Sequence, residues 1–137
     1  MEQKVTKKNR RQTRNYIVQA LFAYEFYPED EQLSFPEEEA KGLIDFAYSD
    51  AAIRGVKEKK VELDAMIQKY SPKRKVEHLD RIDRTIMRVA LWEMNFAEEP
   101  VAAKVAINEA VQLAKAFGSD SSYKLFNAIL DAYAKGK

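Results

Sequence analysis

Residues 104–131, KVAINEAVQLAKAFGSDSSYKLFNAILD, hold two strong helix signals joined by a single break. Ala103, Ala106, Ile107, Ala110, Leu113, Ala114 and Phe117 recur at helical spacing, and Lys104, Asn108, Glu109, Gln112 and Lys115 take the opposite side. That is the pattern of an amphipathic helix. Gly118 tolerates the left-handed conformation that commonly follows a helix end, and Ser119 or Asp120 then offers an oxygen to the first amides of a second helix. In that second helix Phe126, Ile129, Leu130 and Tyr133 form the inward stripe, so Ser121 and Lys124 point outward and Leu125 lies on the margin.

Upstream, Glu98-Glu99-Pro100 separates this pair from a helix predicted over about 79–96. Its apolar positions, among them Leu79, Ile82, Ile86, Met87, Val89, Ala90, Leu91 and Met94, cover more than one narrow stripe, which implies burial on several sides. Arg81, Arg84, Thr85 and Arg88 share one line, continued by Trp92 and Asn95. Glu77 with Arg81 and Asp80 with Arg84 have the favourable acid-first spacing of four, which leaves Arg88 without such a partner. Further back, Val56, Leu63, Met66, Ile67 and Tyr70 carry a helix that stops or bends at Ser71-Pro72. Another helix is predicted from Pro36 to about Gly55, with Glu37, Glu38 and Glu39 at its positive dipole end.

The first helix is predicted over about 9–26 with Ile17, Ala20, Leu21 and Tyr24 inward, and Tyr27-Pro28 ends it. Away from that stripe, Lys7, Arg11 and Phe22 fall on one line with Arg14 beside it, so an aromatic ring shares a surface with guanidinium groups. Guanidiniums suit phosphate oxygens through paired hydrogen bonds, and a ring stacks on a base or fills a partner's pocket. The competing explanation is a solvated basic terminus with Phe22 in the core, since basic termini are common.

The whole is all-α. Gly and Pro number four each, no strand-like alternation bounded by turn residues is visible, and 137 residues suit one domain with a basic arm at about 1–9. Cysteine is absent, which removes disulfides and thiolate metal sites. MEQKVTKKNRR has no apolar signal core, and no run approaches a membrane span, so a cytoplasmic protein without membrane contact is expected. Net charge is only +1, but Lys4, Lys7, Lys8, Arg10, Arg11 and Arg14 concentrate at the start, ahead of an acidic segment. Catalysis finds little support. His78, the only histidine, is five residues from Asp83, too loosely placed with Asp80 to form a convincing metal site, and the four glycines at 42, 55, 118 and 136 make no phosphate loop. A binding protein with no cofactor and no metal is expected.

KVAINEA at 104–110, LAKAFG at 113–118 and KLFNAILD at 124–131 resemble the C-terminal signature of the NusB family of bacterial transcription antitermination factors. LDRIDRTIMRVALWEM at 79–94 resembles the family's central helix, and RRQTRNYIVQALF at 10–22 its first helix. The resemblance implies about seven helices in two roughly perpendicular three-helix bundles, and a protein that binds boxA of ribosomal RNA leader transcripts. It also implies pairing with NusE, a small-subunit ribosomal protein, within an antitermination complex on RNA polymerase. Carried over residue by residue, the RNA-contacting positions are Lys7, Lys8, Arg10, Arg11, Arg14, Asp83, Ser121 and Lys124. Phe22, Asp83 and Leu125 are the partner-facing ones.

Three positions depart from the family pattern: Ser121 where an acid is frequent, Leu125 where phenylalanine is frequent, and Ala128 in place of the glycine after Asn127. Alternatives from other classes are a helical protein-interaction module that binds no RNA, and the regulatory domain of an RNA methyltransferase. A homodimer that masks its basic face is an alternative state of the free protein.

Overall fold

The computed structural model describes residues 9–26, 42–71, 74–117 and 122–136. The expected helix start at Pro36, the Gly118 break, and the site positions Lys7, Lys8 and Ser121 lie outside the described residues. Six α-helices run through the rest: α1 (Arg10–Phe26), α2 (Phe46–Glu58), α3 (Lys60–Lys69), α4 (Arg81–Asn95), α5 (Ala103–Phe117) and α6 (Ser122–Lys135). A single 3-10 turn, Val76–His78, precedes α4. Among the described residues there is no strand.

The helix α4 is the axis of the molecule. It packs with α1 and α2 on one side and with α5 and α6 on the other, so that it belongs to both three-helix bundles, while α3 lies against α4 and α2. This explains its sequence: from Thr85 to Met94 every residue is buried, as a helix enclosed by both bundles requires. The expected stripes of the final pair are realised. Phe126, Ile129, Leu130 and Tyr133 are buried on α6, and Ala106, Ala110, Leu113 and Ala114 on α5. The small alanines let α5 approach its neighbours closely, and enclosing a side chain the size of Phe126 contributes roughly 1.5–3 kcal/mol.

Three local expectations are corrected. Gly55 does not end a helix but lies within α2, where a Cβ would overlap the indole of Trp92, 2.6 Å from Cε2. The break comes instead at Lys59, whose N–H closes on the Gly55 carbonyl before α3 restarts the chain. Trp92, expected on a polar line, is buried under that glycine and edge-on to Tyr48. Tyr24, expected inward, is 40% exposed with the Lys57 ammonium 3.6 Å from its ring centroid, a ring at the margin of the core rather than in it. Arg88, which has no acid at local spacing, finds distant ones: Asp64 on α3 takes its Nε and Nη2 at 2.7 and 2.9 Å, and Glu25 on α1 takes Nη1 at 3.3 Å.

Candidate nucleic-acid interface

The N-terminal end of α1 is where basic residues and the rest of the fold meet. Asn9 caps it, its Oδ1 accepting from Gln12 N at 3.1 Å, and the first turn carries no acid, so the positive end of the helix dipole adds to Arg10 and Arg11. Thr13 ties this end down. Its hydroxyl donates to the Asn9 carbonyl at 2.8 Å and accepts from Asp45 N at 3.0 Å, while Asn9 N donates to the Leu43 carbonyl at 2.7 Å. Asp45 in turn caps α2 by accepting from Tyr48 N.

Three arginines on this end have three different environments. Arg10 is exposed, and its guanidinium carbon stands 3.6 Å over the Tyr48 ring. Arg11 has a side chain 60% exposed yet held in a fork, Nε and Nη2 donating to the two carboxylate oxygens of Glu109 on α5 at 3.1 and 2.8 Å. Arg14 is buried, contrary to the outward placement expected for it: its Nε donates to Glu93 Oε1 at 2.8 Å and its Nη1 lies 3.5 Å from Glu109. The reason is phase. Arg14 precedes Ile17, Val18 and Leu21 by three, four and seven residues, so it sits on the inward stripe and needs a buried acid.

Glu93 is that acid, and sequence reasoning missed it. It lies in the apolar run VALWEM, 2% exposed, and its second oxygen accepts from the Tyr48 hydroxyl. A carboxylate inside an apolar helix face was the signal that could have found it, because such a group must be paired. Glu109, expected on the solvent side of α5, is likewise buried, since it follows Ala106 by three and precedes Leu113 by four. Arg10, Tyr48, Glu93, Arg14, Glu109 and Arg11 thus form one chain of contacts across α1, α2, α4 and α5.

Titration follows this geometry. The hydrogen bond from Arg11 holds the Glu109 carboxyl below its ordinary value, helped by the charges of Arg11 and Arg14 against the opposing effect of burial. The same bond raises Arg11. Burial, then the adjacent Glu93 charge, pushes the Tyr48 phenol well up, so it remains a hydrogen-bond donor.

The remaining site positions lie elsewhere. Phe22 is half-buried, eleven residues and roughly 17 Å along α1 from Arg11. Asp83 is buried, 5% exposed, in the first turn of α4. Lys124 is exposed near the start of α6, and Leu125 is half-buried against the core. The structure therefore gathers the arginines of α1 but distributes the partner-facing residues along α1, α4 and α6. Among the described residues no group of three or more His, Asp or Glu side chains could hold a metal ion, and no helix is long and apolar enough to cross a membrane.

Comparison with known proteins agrees with this architecture. The transcription antitermination protein NusB of Bdellovibrio bacteriovorus is 40% identical over 128 residues, 92% of this chain and 95% of the relative. That of Proteus mirabilis is 37% identical over 128 residues, 91% of this chain and 92% of the relative. In structure the chain is similar to T. maritima NusB, with a TM-score of 0.77 and 31% identity over 94% of this chain and 92% of that one. A chain in the crystal structure of antitermination factors NusB and NusE with double-stranded RNA shares the fold at a TM-score of 0.72 and 19% identity, covering 93% of this chain and 97% of that one. A model of the NusB family matches residues 11–135, and with these relatives it places the chain in the NusB family.

Proposed function

We propose that the protein is a transcription antitermination factor that binds boxA of ribosomal RNA leader transcripts together with NusE and joins elongating RNA polymerase. The observation that carries this is the family match over 11–135 with antitermination proteins up to 40% identical across nearly the whole chain. It acts in the cytoplasm as an adaptor, and its work is binding rather than catalysis.

Arg10 and Arg11 are the phosphate contacts on α1, extended by Lys7 and Lys8 ahead of it. Arg14 is a positioning residue. Saturated by Glu93 and Glu109, it holds the end of α1 in place beneath them. Ser121 and Lys124 extend the RNA surface at the start of the last helix, and Phe22 with Leu125 faces NusE. Asp83, in the first turn of α4, belongs to the same RNA and NusE surface. The test is an RNA gel shift with a boxA leader and a scrambled control, with and without NusE. Specific binding strengthened by NusE is expected, and equal affinity for both RNAs in the presence of NusE overturns the assignment.

A further inference from the structure

A cleft of about 290 Å³ opens toward the other end of α1, bounded by the last turns of that helix, the junction of α2 with α3, and the first half of α4. Among the described residues, Lys57, Lys60, Arg81, Arg84 and Arg88 line it together with one carboxylate, Glu25. The cations form a fixed floor and an exposed rim. On the floor Arg88, its side chain 8% exposed, is clamped by Asp64 and Glu25, and Arg84 reaches Glu25 at 3.6 Å and the Glu77 carbonyl at 3.2 Å. This floor is not saturated: Arg84 Nε and Glu25 Oε2 have no hydrogen-bond partner among the described residues. On the rim Lys57 and Lys60 are exposed, and the Tyr24 ring stands beside them with Lys57 Nζ 3.6 Å from its centroid.

Guanidiniums already held in place bind an anion with little further ordering cost, and excess positive charge within low-dielectric walls raises the local anion concentration. Two features select the class of anion. Among the described residues five cations stand against two carboxylates, the lining Glu25 and the Asp64 that clamps Arg88, and this excess favours a polyanion over a single carboxylate, while the volume approaches that of a small-molecule site. The Tyr24 ring at the rim is 40% exposed with Lys57 Nζ over one face, which leaves aromatic surface that a base can meet beside the ammonium.

We propose that this cleft binds a phosphorylated nucleotide, with its phosphates among Lys57, Lys60 and Arg84 and its base against Tyr24. It is a separate site from the basic end of α1: Tyr24 follows Arg11 by thirteen residues, roughly 20 Å along the helix. Calorimetric titration of the full chain with ADP, pyrophosphate and inorganic phosphate at low salt tests it. ADP binds, pyrophosphate binds more weakly, and Lys57→Glu with Lys60→Glu lowers ADP affinity about tenfold or more, a loss equivalent to about 1.4 kcal/mol. Tyr24→Ala weakens ADP more than pyrophosphate, and Arg10→Ala with Arg11→Ala changes neither. The proposal is overturned if ADP fails to bind, if the charge reversal leaves its affinity unchanged, or if the Arg10 and Arg11 variant loses it. It is equally overturned if scrambled RNA displaces ADP and suffers the same loss, which makes the cleft part of an RNA path. Loss of a protein partner in the charge-reversed chain, without ADP binding to wild type, makes it a protein interface instead.

Discussion

Arg14 Nε meets Glu93 Oε1 at 2.8 Å between α1 and α4, with the two side chains only 8% and 2% exposed. An ion pair this deep gains from its geometry but has lost the hydration of both charges, so breaking it by removing one partner is far worse than its net contribution suggests. Glu93→Ala leaves Arg14 with Glu109 alone at 3.5 Å and also strips the Tyr48 hydroxyl of its acceptor. We expect a loss of about 3–5 kcal/mol in urea unfolding, and a smaller loss in Arg14→Met with Glu93→Leu, which removes both charges together. Equal losses in the two variants would show that packing, not charge, dominates there.

Glu109 gives the network a pH dependence. Its carboxyl is held below the ordinary range chiefly by the Arg11 hydrogen bond, so the folded state favours the ionised form. A depressed carboxylate contributes stability above its unfolded pKa of about 4.3, and that contribution is lost as pH falls through the lower folded value. The stability difference between wild type and Glu109→Gln should therefore be constant from neutral pH down to about 5 and shrink below it. Chemical denaturation of both proteins across that range measures it, and a difference that grows on acidification would reverse the sign assigned here.

These two acids mark where the sequence stopped being legible. The fold was readable because its helices are amphipathic, and the stripes of α5 and α6 follow directly from spacing. Arg14 and Glu109 are expected to face outward because of their charge, and Glu93 carries no expectation at all, although all three have the phase of core positions. Spacing can reveal that a charge is inward, but not which residue answers it 79 or 98 positions away. Arg88 shows the same limit: it has no acid at local spacing, and Asp64 answers it from another helix, where a local spacing rule does not reach.

Gly55 is fixed by close approach rather than by backbone conformation. Alanine would improve the intrinsic helix propensity of α2 by about 1 kcal/mol, but its methyl group would overlap the buried indole of Trp92. Overpacking a core contact of this kind costs about 1–3 kcal/mol, and Trp92 is hemmed in by Tyr48 on its edge. Gly55→Ala should lower stability by up to about 2 kcal/mol net and alter the tryptophan fluorescence. A rise in melting temperature would mean that Trp92 yields without penalty.

Phe22 is half-buried on α1, which allows a large interface contribution without a core role. Aromatic anchors commonly dominate protein interfaces, and Phe22→Asp should weaken NusE binding by about 2 kcal/mol or more. Circular dichroism should report a folded protein. Wild-type NusE affinity, or cooperative unfolding lost altogether, would remove Phe22 from the interface.

Arg10 and Arg11 differ from Arg14 in what they can still offer an anion. Arg10 rests on the Tyr48 ring and Arg11 keeps its side chain 60% exposed despite the Glu109 fork, whereas Arg14 is buried between two acids. Each phosphate neutralised on single-stranded RNA releases condensed counterion, lowering the slope of log affinity against log salt by about 0.7 per contact. Arg10→Ala with Arg11→Ala should thus weaken boxA and scrambled RNA alike and flatten the slope by about 1.4, with a smaller stability loss than Glu93→Ala, because Arg11 is exposed and Glu109 keeps Arg14. Arg14→Lys should behave differently: a single ammonium cannot bridge Glu93 and Glu109 as two guanidinium nitrogens do, so stability falls, while the RNA salt slope of the folded fraction stays at the wild-type value. Filter binding at three or more salt concentrations separates the two. An unchanged slope in the Arg10 and Arg11 variant would show that the end of α1 carries its charge into solvent and not to phosphate.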